Sequence, residues 1–145
     1  MTKEIHLRQI KNNTFAAKAG SNHWVVMDTK NEAGGSEAGS TPKELLLMAL
    51  AGCTSMDVIP ILKKKRSPVL AYECNVKGVE REEHPKIFTE IHIEYVFYGD
   101  GIKAEDVERA IDLSATKYCS VSAQLSPSAS ITHSYRIESA AKLSE

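Results

Sequence analysis

An α+β fold built around one long apolar helix is what this chain of 145 residues predicts, and three observations carry the prediction. The stretch Thr41 to Arg66, TPKELLLMALAGCTSMDVIPILKKKR, reads as a continuous helix with a cysteine at its middle. Short segments of alternating apolar and polar residues stand before and after it, the period of strands. A second, amphipathic helical pattern follows the last pair of long strands. The length suits a single domain spanning residues 1–145, with enough apolar content for a real core. Eighteen basic residues stand against 19 acidic ones. That balance offers nothing to draw in a nucleic-acid backbone or an anionic membrane, so neither is expected as a partner.

At the start of the chain Ile5 and Leu7 alternate with polar neighbours, Lys11-Asn12-Asn13 makes a turn, and Phe15 and Ala17 alternate again. A strand, a hairpin and a second strand follow from that pattern. Gly20-Ser21-Asn22 turns the chain into a third strand, His23 to Met27, where Trp24 reads as a core or interface anchor. Asp28 to Ser40, with Gly34, Gly35 and Gly39, is expected to be a flexible loop. It suits either a lid or a plain solvated connection.

The helix begins where Thr41 can cap it, Pro42 takes the first helical position and Glu44 reaches back to complete a capping box. From Leu45 to Leu62 apolar residues occupy every face, which predicts a helix enclosed by protein on all sides. Ala49, Ala51, Gly52 and Ser55 are small enough to let another backbone approach Cys53, so a second helix, from a second subunit, is expected to pack there. Thr54, Ser55, Asp57 and Pro60 interrupt a stretch already near the minimum for a membrane span, which argues against one. Pro60 is expected to kink the final turns before the basic end Lys63 to Arg66, which suits the helix dipole.

Beyond Ser67-Pro68, the residues Leu70, Tyr72, Cys74 and Val76 alternate with polar or small ones, so Cys74 is expected to face the core as a small buried hydrophobe. A loop around Glu82 to Pro85 leads to Ile87–Tyr98, whose positions Ile87, Ile91, Ile93, Tyr95 and Phe97 form one apolar face. Glu90, His92 and Glu94 line the other face; their spacing permits a metal site, and a solvated strand face explains it equally simply. Gly99-Asp100-Gly101 breaks the strand, and Lys103 to Lys117 reads as an amphipathic helix with Ala104, Val107, Ile111 and Ser114 inward. In KYCSVSAQL, Cys119 or Ser120 can cap a short helix that stops before Pro127, and a thiol at that position gains thiolate character from the helix amides. Ile131 to Ile137 is a last strand, and the tail from Ser139 is expected to fray.

The N-terminal residues MTKEIHLRQIKNN have no apolar run of signal-peptide length, so a cytoplasmic location with reduced thiols is expected. Three cysteines there suggest chemistry or packing. None forms a CxxC pair and the five histidines show no zinc spacing, so neither a metal nor a resident cofactor is expected. Burial in mid-helix raises a thiol pKa, and a reactive Cys53 therefore calls for a cationic or hydrogen-bonding partner.

The sequence resembles the OsmC/Ohr family of thiol-dependent hydroperoxide reductases. TPKELLLMALAGC with Cys53, the following MDVIPILKKKR, and KYCSVSAQL with Cys119 carry the resemblance, which extends in order over nearly the whole chain. It implies an OsmC-like fold, an intertwined homodimer whose central cysteine-bearing helices pack together against antiparallel sheets. It also implies that Cys53 is the peroxidatic thiol, attacking an organic hydroperoxide and becoming a sulfenic acid. Cys119 would resolve that acid as a Cys53–Cys119 disulfide, which an external dithiol of lipoyl type would reduce.

The chain departs from typical hydroperoxide reductases at two places. Directly after the helix proline those enzymes carry a glutamate that pairs with an arginine of the N-terminal hairpin. This chain has Lys43 there and no arginine from Lys11 to Ala17. The neighbouring Glu44 matches a second acidic position of the family but points about 100° away around the helix. Lys43 and Glu44 are therefore supporting candidates, Lys43 as a substitute cation for the thiolate or as a solvated lysine of the first turn. These differences align the chain with a less characterised OsmC-like branch. The rival function is a noncatalytic or redox-sensing dimer that binds a small apolar ligand in the intersubunit cleft.

Overall fold

The computed structural model describes residues 1–145, which form two compact units, Met1–Leu46 and Leu47–Glu145. The first is a three-stranded antiparallel sheet in the order β1-β2-β3: β1 His6–Lys11, β2 Thr14–Lys18 and β3 Trp24–Met27. Asn12 (φ 51°) and Asn22 (φ 61°) take left-handed conformations in the turns, a conformation that asparagine tolerates better than most residues. Trp24 is not a core residue here: it is 48% exposed, with His6 edge-on and the Lys18 ammonium 5.2 Å from its ring centroid.

The loop after β3 is not the flexible connection expected of its glycines. Asp28 is buried and its carboxylate accepts bonds from the amides of Thr29 (2.7 Å), Ser36 (3.0 Å) and Ala38 (3.0 Å) and from the Thr14 hydroxyl (2.8 Å). Burial pushes its pKa up, but the four donors together outweigh burial and hold it at about 2. Gly35 is required at this knot, because a Cβ there would stand 2.1 Å from the Thr29 carbonyl oxygen. The loop ends in the capping box foreseen for Thr41: its amide donates to Glu44 at 2.7 Å and the Glu44 amide donates back to the Thr41 hydroxyl at 3.3 Å.

Helix α1, Pro42–Lys64, begins in the first unit and runs through Pro60 in the second. It is long and apolar enough to cross a bilayer, but Leu50, Thr54, Val58 and Leu62, four residues apart, form a buried stripe in the core of the second unit. Protein therefore encloses one side of the helix within a single chain, not all of it. Met48 and Met56 remain 53% and 78% exposed.

The sheet of the second unit runs β4-β5-β6: β4 Ala71–Glu80, β5 Phe88–Tyr98 and β6 Ser130–Glu138. β4 and β5 form the expected antiparallel hairpin, while β6 lies parallel to β5, so this sheet is mixed where antiparallel order was expected. The parallel pairing follows from the helical crossover between the two strands. Ile91, Ile93, Tyr95 and Phe97 of β5 are buried against the α1 stripe, with Tyr72, Cys74 and Val76 packed beside them. Ile87 and Leu70 stand outside that face, 38% and 67% exposed, because both precede their strands. On the other face His92 bonds to Thr132 and Ser134 of β6 and Glu94 pairs with Arg136, so the solvated reading holds for both residues.

Helix α2 is Ala104–Leu113, shorter than the periodicity suggested. Its Val107, Ala110 and Ile111 are buried. A π-turn, Ser114–Tyr118, replaces its last turn, with the Cys119 amide bonded to the Ser114 carbonyl at 2.9 Å. Helix α3, Ser120–Leu125, follows at once. The tail is an ordered 3₁₀ turn, Ala140–Ser144, tied by the Ala140 amide to Asp100.

Candidate functional site

Cys53 lies midway along α1 and Cys119 is the N-cap of α3, accepting the Ser122 amide at 3.3 Å. The π-turn delivers Cys119 into the core, where it is 5% exposed, while Cys53 is half-buried beside it. Both thiols are free, and Cys53 packs against the buried cluster that contains Cys119. Of the candidates named from sequence, these are the two the fold brings together.

The electrostatics of Cys119 differ from what its capping position suggested. Burial pushes the thiol up, the Ser122 amide offsets part of this, and contact with Cys53 and the charge of Asp57 push it further, to about 11. A six-residue helix does not compensate for removal from water. Cys119 is therefore held as a thiol.

A polar chain that sequence reading missed runs behind the cysteines. Asp57, one turn beyond Cys53 on α1, accepts the Ser114 hydroxyl at 2.9 Å. Ser114 Oγ lies 3.1 Å from Thr54 Oγ1, Thr54 Oγ1 lies 2.9 Å from Tyr95 Oη, and Tyr95 Oη lies 3.1 Å from His133 Nδ1. Thr54 and Ser114 are completely buried, so each hydroxyl needs the partners it has. Burial pushes Tyr95 up to about 12, and burial together with His92 lowers the His133 pKa. The available signal was the i, i+4 spacing of Cys53 and Asp57 and a threonine inside an otherwise apolar run.

Cys74 lies beside Tyr72 and Ser55, whose hydroxyls are 2.8 Å apart, and burial raises its pKa. Glu44 has its carboxylate on the Thr41 amide and hydroxyl, which lower its pKa. Lys43 is exposed on the first turn of the same helix.

Residues 34–134 match the family model described as OsmC-like protein. The chain belongs to the OsmC-like family. Protein YhfA of Escherichia coli (strain K12) is 38% identical over 137 residues, covering 94% of this chain and 99% of YhfA. The crystal structure of a hypothetical protein from Aquifex aeolicus VF5 superposes with a TM-score of 0.84 at 36% identity, covering 96% of this chain and 98% of the other. An organic hydroperoxide resistance protein OsmC from Legionella pneumophila has the same fold at 12% identity, with a TM-score of 0.69 and coverage of 93% and 96%. This mixed α+β architecture of two small sheets and a cysteine-bearing helix is thus the OsmC-like fold.

Proposed function

We propose that the protein reduces organic hydroperoxides by thiol chemistry, with Cys53 as nucleophile and Cys119 as resolving thiol. The observation that carries this is the packing of a half-buried thiol, Cys53, against the buried cluster that holds Cys119. The Cys53 thiolate attacks the peroxide; the O–O bond breaks, the alkoxide takes a proton, and Cys53 becomes a sulfenic acid. Cys119 then attacks that sulfur, water leaves, and the Cys53–Cys119 disulfide forms. An external dithiol, of lipoyl type by family resemblance, restores both thiols and is itself oxidised. A family relative that carries the name of organic hydroperoxide resistance supports this class of substrate.

The active form in this reading is a homodimer. Met48 and Met56 leave α1 with an uncovered apolar side, and a Cβ built on Gly52, next to Cys53, meets nothing within 4 Å. In this reading a second copy of the helix packs on that side, with Cys53 at the seam.

Loss of cumene hydroperoxide, followed with dihydrolipoamide as reductant, tests the assignment. Activity is expected to vanish in Cys53→Ser. Cys119→Ser is expected to give one turnover and a dimedone-reactive sulfenic acid on Cys53. Full turnover by Cys53→Ser rules the mechanism out.

A further inference from the structure

The hydrogens of the buried polar chain can run in only one direction. A carboxylate accepts, so the single Ser114 hydroxyl hydrogen goes to Asp57 and Ser114 must accept from Thr54. Thr54 then has no hydrogen left for Tyr95 and accepts the phenol O–H, and Tyr95 in turn must accept from His133 Nδ1–H. The result is a single file of donors leading from His133 on β6 to Asp57 on α1, which stands one turn from Cys53; Ser114, whose hydroxyl donates to Asp57, accepts the Cys119 amide on its carbonyl at 2.9 Å, so the file ends beside Cys119.

We propose that this file is a proton relay that supplies the Cys119 sulfur when the Cys53–Cys119 disulfide is reduced, with His133 acting through Tyr95 as the positioning residue that loads it. The proposal rests on the disulfide of the preceding reading. In the step, a thiolate of the reducing dithiol attacks the Cys53 sulfur, the S–S bond breaks and its electron pair goes to Cys119. Cys119 takes a proton from Asp57, which has received it as each group passes its hydrogen inward: His133 Nδ1 to Tyr95, Tyr95 to Thr54, Thr54 to Ser114, Ser114 to Asp57. His133 takes its proton from water at Nε2. The second thiol of the reductant then displaces Cys53, closing the reductant's own disulfide.

Cys119 needs such a supply because burial and the Asp57 charge make its anion a poor leaving group. The titratable groups facing the file are Cys74 of β4, His92 of β5 beside His133, and Asp57 and Cys119 at its inner end, with Glu108 of α2 bonded to Tyr135 two residues along β6. None of them interrupts the hydrogen-bond sequence.

The test closes the disulfide with diamide, so that no peroxide is needed, and follows its reduction by dithiothreitol across about pH 5–8, with rates divided by the reductant thiolate concentration. The normalised wild-type rate is expected to rise as pH falls through the titration of His133, read by NMR of its ring nitrogens in the same protein. Tyr95→Phe and Thr54→Val are expected to flatten that profile and slow the low-pH rate about tenfold or more, while Thr54→Ser, which keeps the hydroxyl, restores it. Equal profiles in wild type and Tyr95→Phe, or an Nε2–H tautomer of neutral His133 in the reduced protein, overturn the relay. A pair that diamide cannot close overturns relay and disulfide together. A pair that closes with diamide but never with hydroperoxide overturns the peroxidase reading alone, and the reduction profile still decides the relay.

Discussion

Asp28 shows how far one side chain can reorganise a segment whose composition suggests mobility. Its carboxylate replaces the missing regular structure of the loop by gathering three backbone amides and a hydroxyl. Because its folded pKa lies at about 2, below the ordinary carboxylate value, its contribution to stability is present above the unfolded pKa and is lost as pH falls through about 2. Asp28→Asn is expected to lower the denaturant midpoint at neutral pH and to remove this acid-sensitive part of the transition, read through the single tryptophan, Trp24, of the same unit. An unchanged midpoint would reduce Asp28 to a bystander. The same competition between burial and hydrogen bonding decides Cys119, with the opposite outcome, since one amide set against full burial leaves the thiol neutral. Neither result was legible in sequence: a motif announces a cap, but how much water the fold removes depends on the packing around it.

At the scale of elements, periodicity served well where one chain supplies both sides of a contact. The strands of both sheets, the capping box at Thr41 and the inward residues of α2 follow from spacing alone. It failed at the end of α2, where the pattern continues to Lys117 but a π-turn takes over at Ser114. That turn puts the Ser114 hydroxyl between Asp57 and Thr54 and seats Cys119 in the buried cluster against which Cys53 packs. The reason is tertiary, since those polar partners come from α1, sixty or so positions earlier. The α1 stripe also carries much of the core energy, each buried Leu or Val contributing about 1.5–3 kcal/mol. Leu50→Ala should cost about 2–5 kcal/mol, measurable by urea denaturation. A loss below about 1 kcal/mol would mean that the stripe does not hold the core.

For the whole molecule, the apolar character of α1 on every side is half explained by one chain. Met48 and Met56 on the helix, and Leu7, Ile10, Val25 and Val26 on the strands of the first unit, are exposed apolar residues that a lone chain gains nothing by displaying. In the homodimer proposed above, sedimentation across a dilution series is expected to show dimer, with unfolding dependent on protein concentration. Met56→Lys places a charge on the uncovered face and should weaken association. A cooperative, folded monomer persisting at high dilution would leave those residues without a partner and remove the seam at Cys53.

The pairing of Cys53 with Cys119 is tested most directly by peptide mapping after brief exposure to an organic hydroperoxide and blocking of the remaining thiols. The expected product is a single internal disulfide joining Cys53 to Cys119, with Cys74 recovered as the blocked thiol, since Cys74 lies on β4 beside Tyr72 and Ser55. Recovery of Cys74 in the main disulfide, or of all three cysteines as blocked thiols, contradicts it.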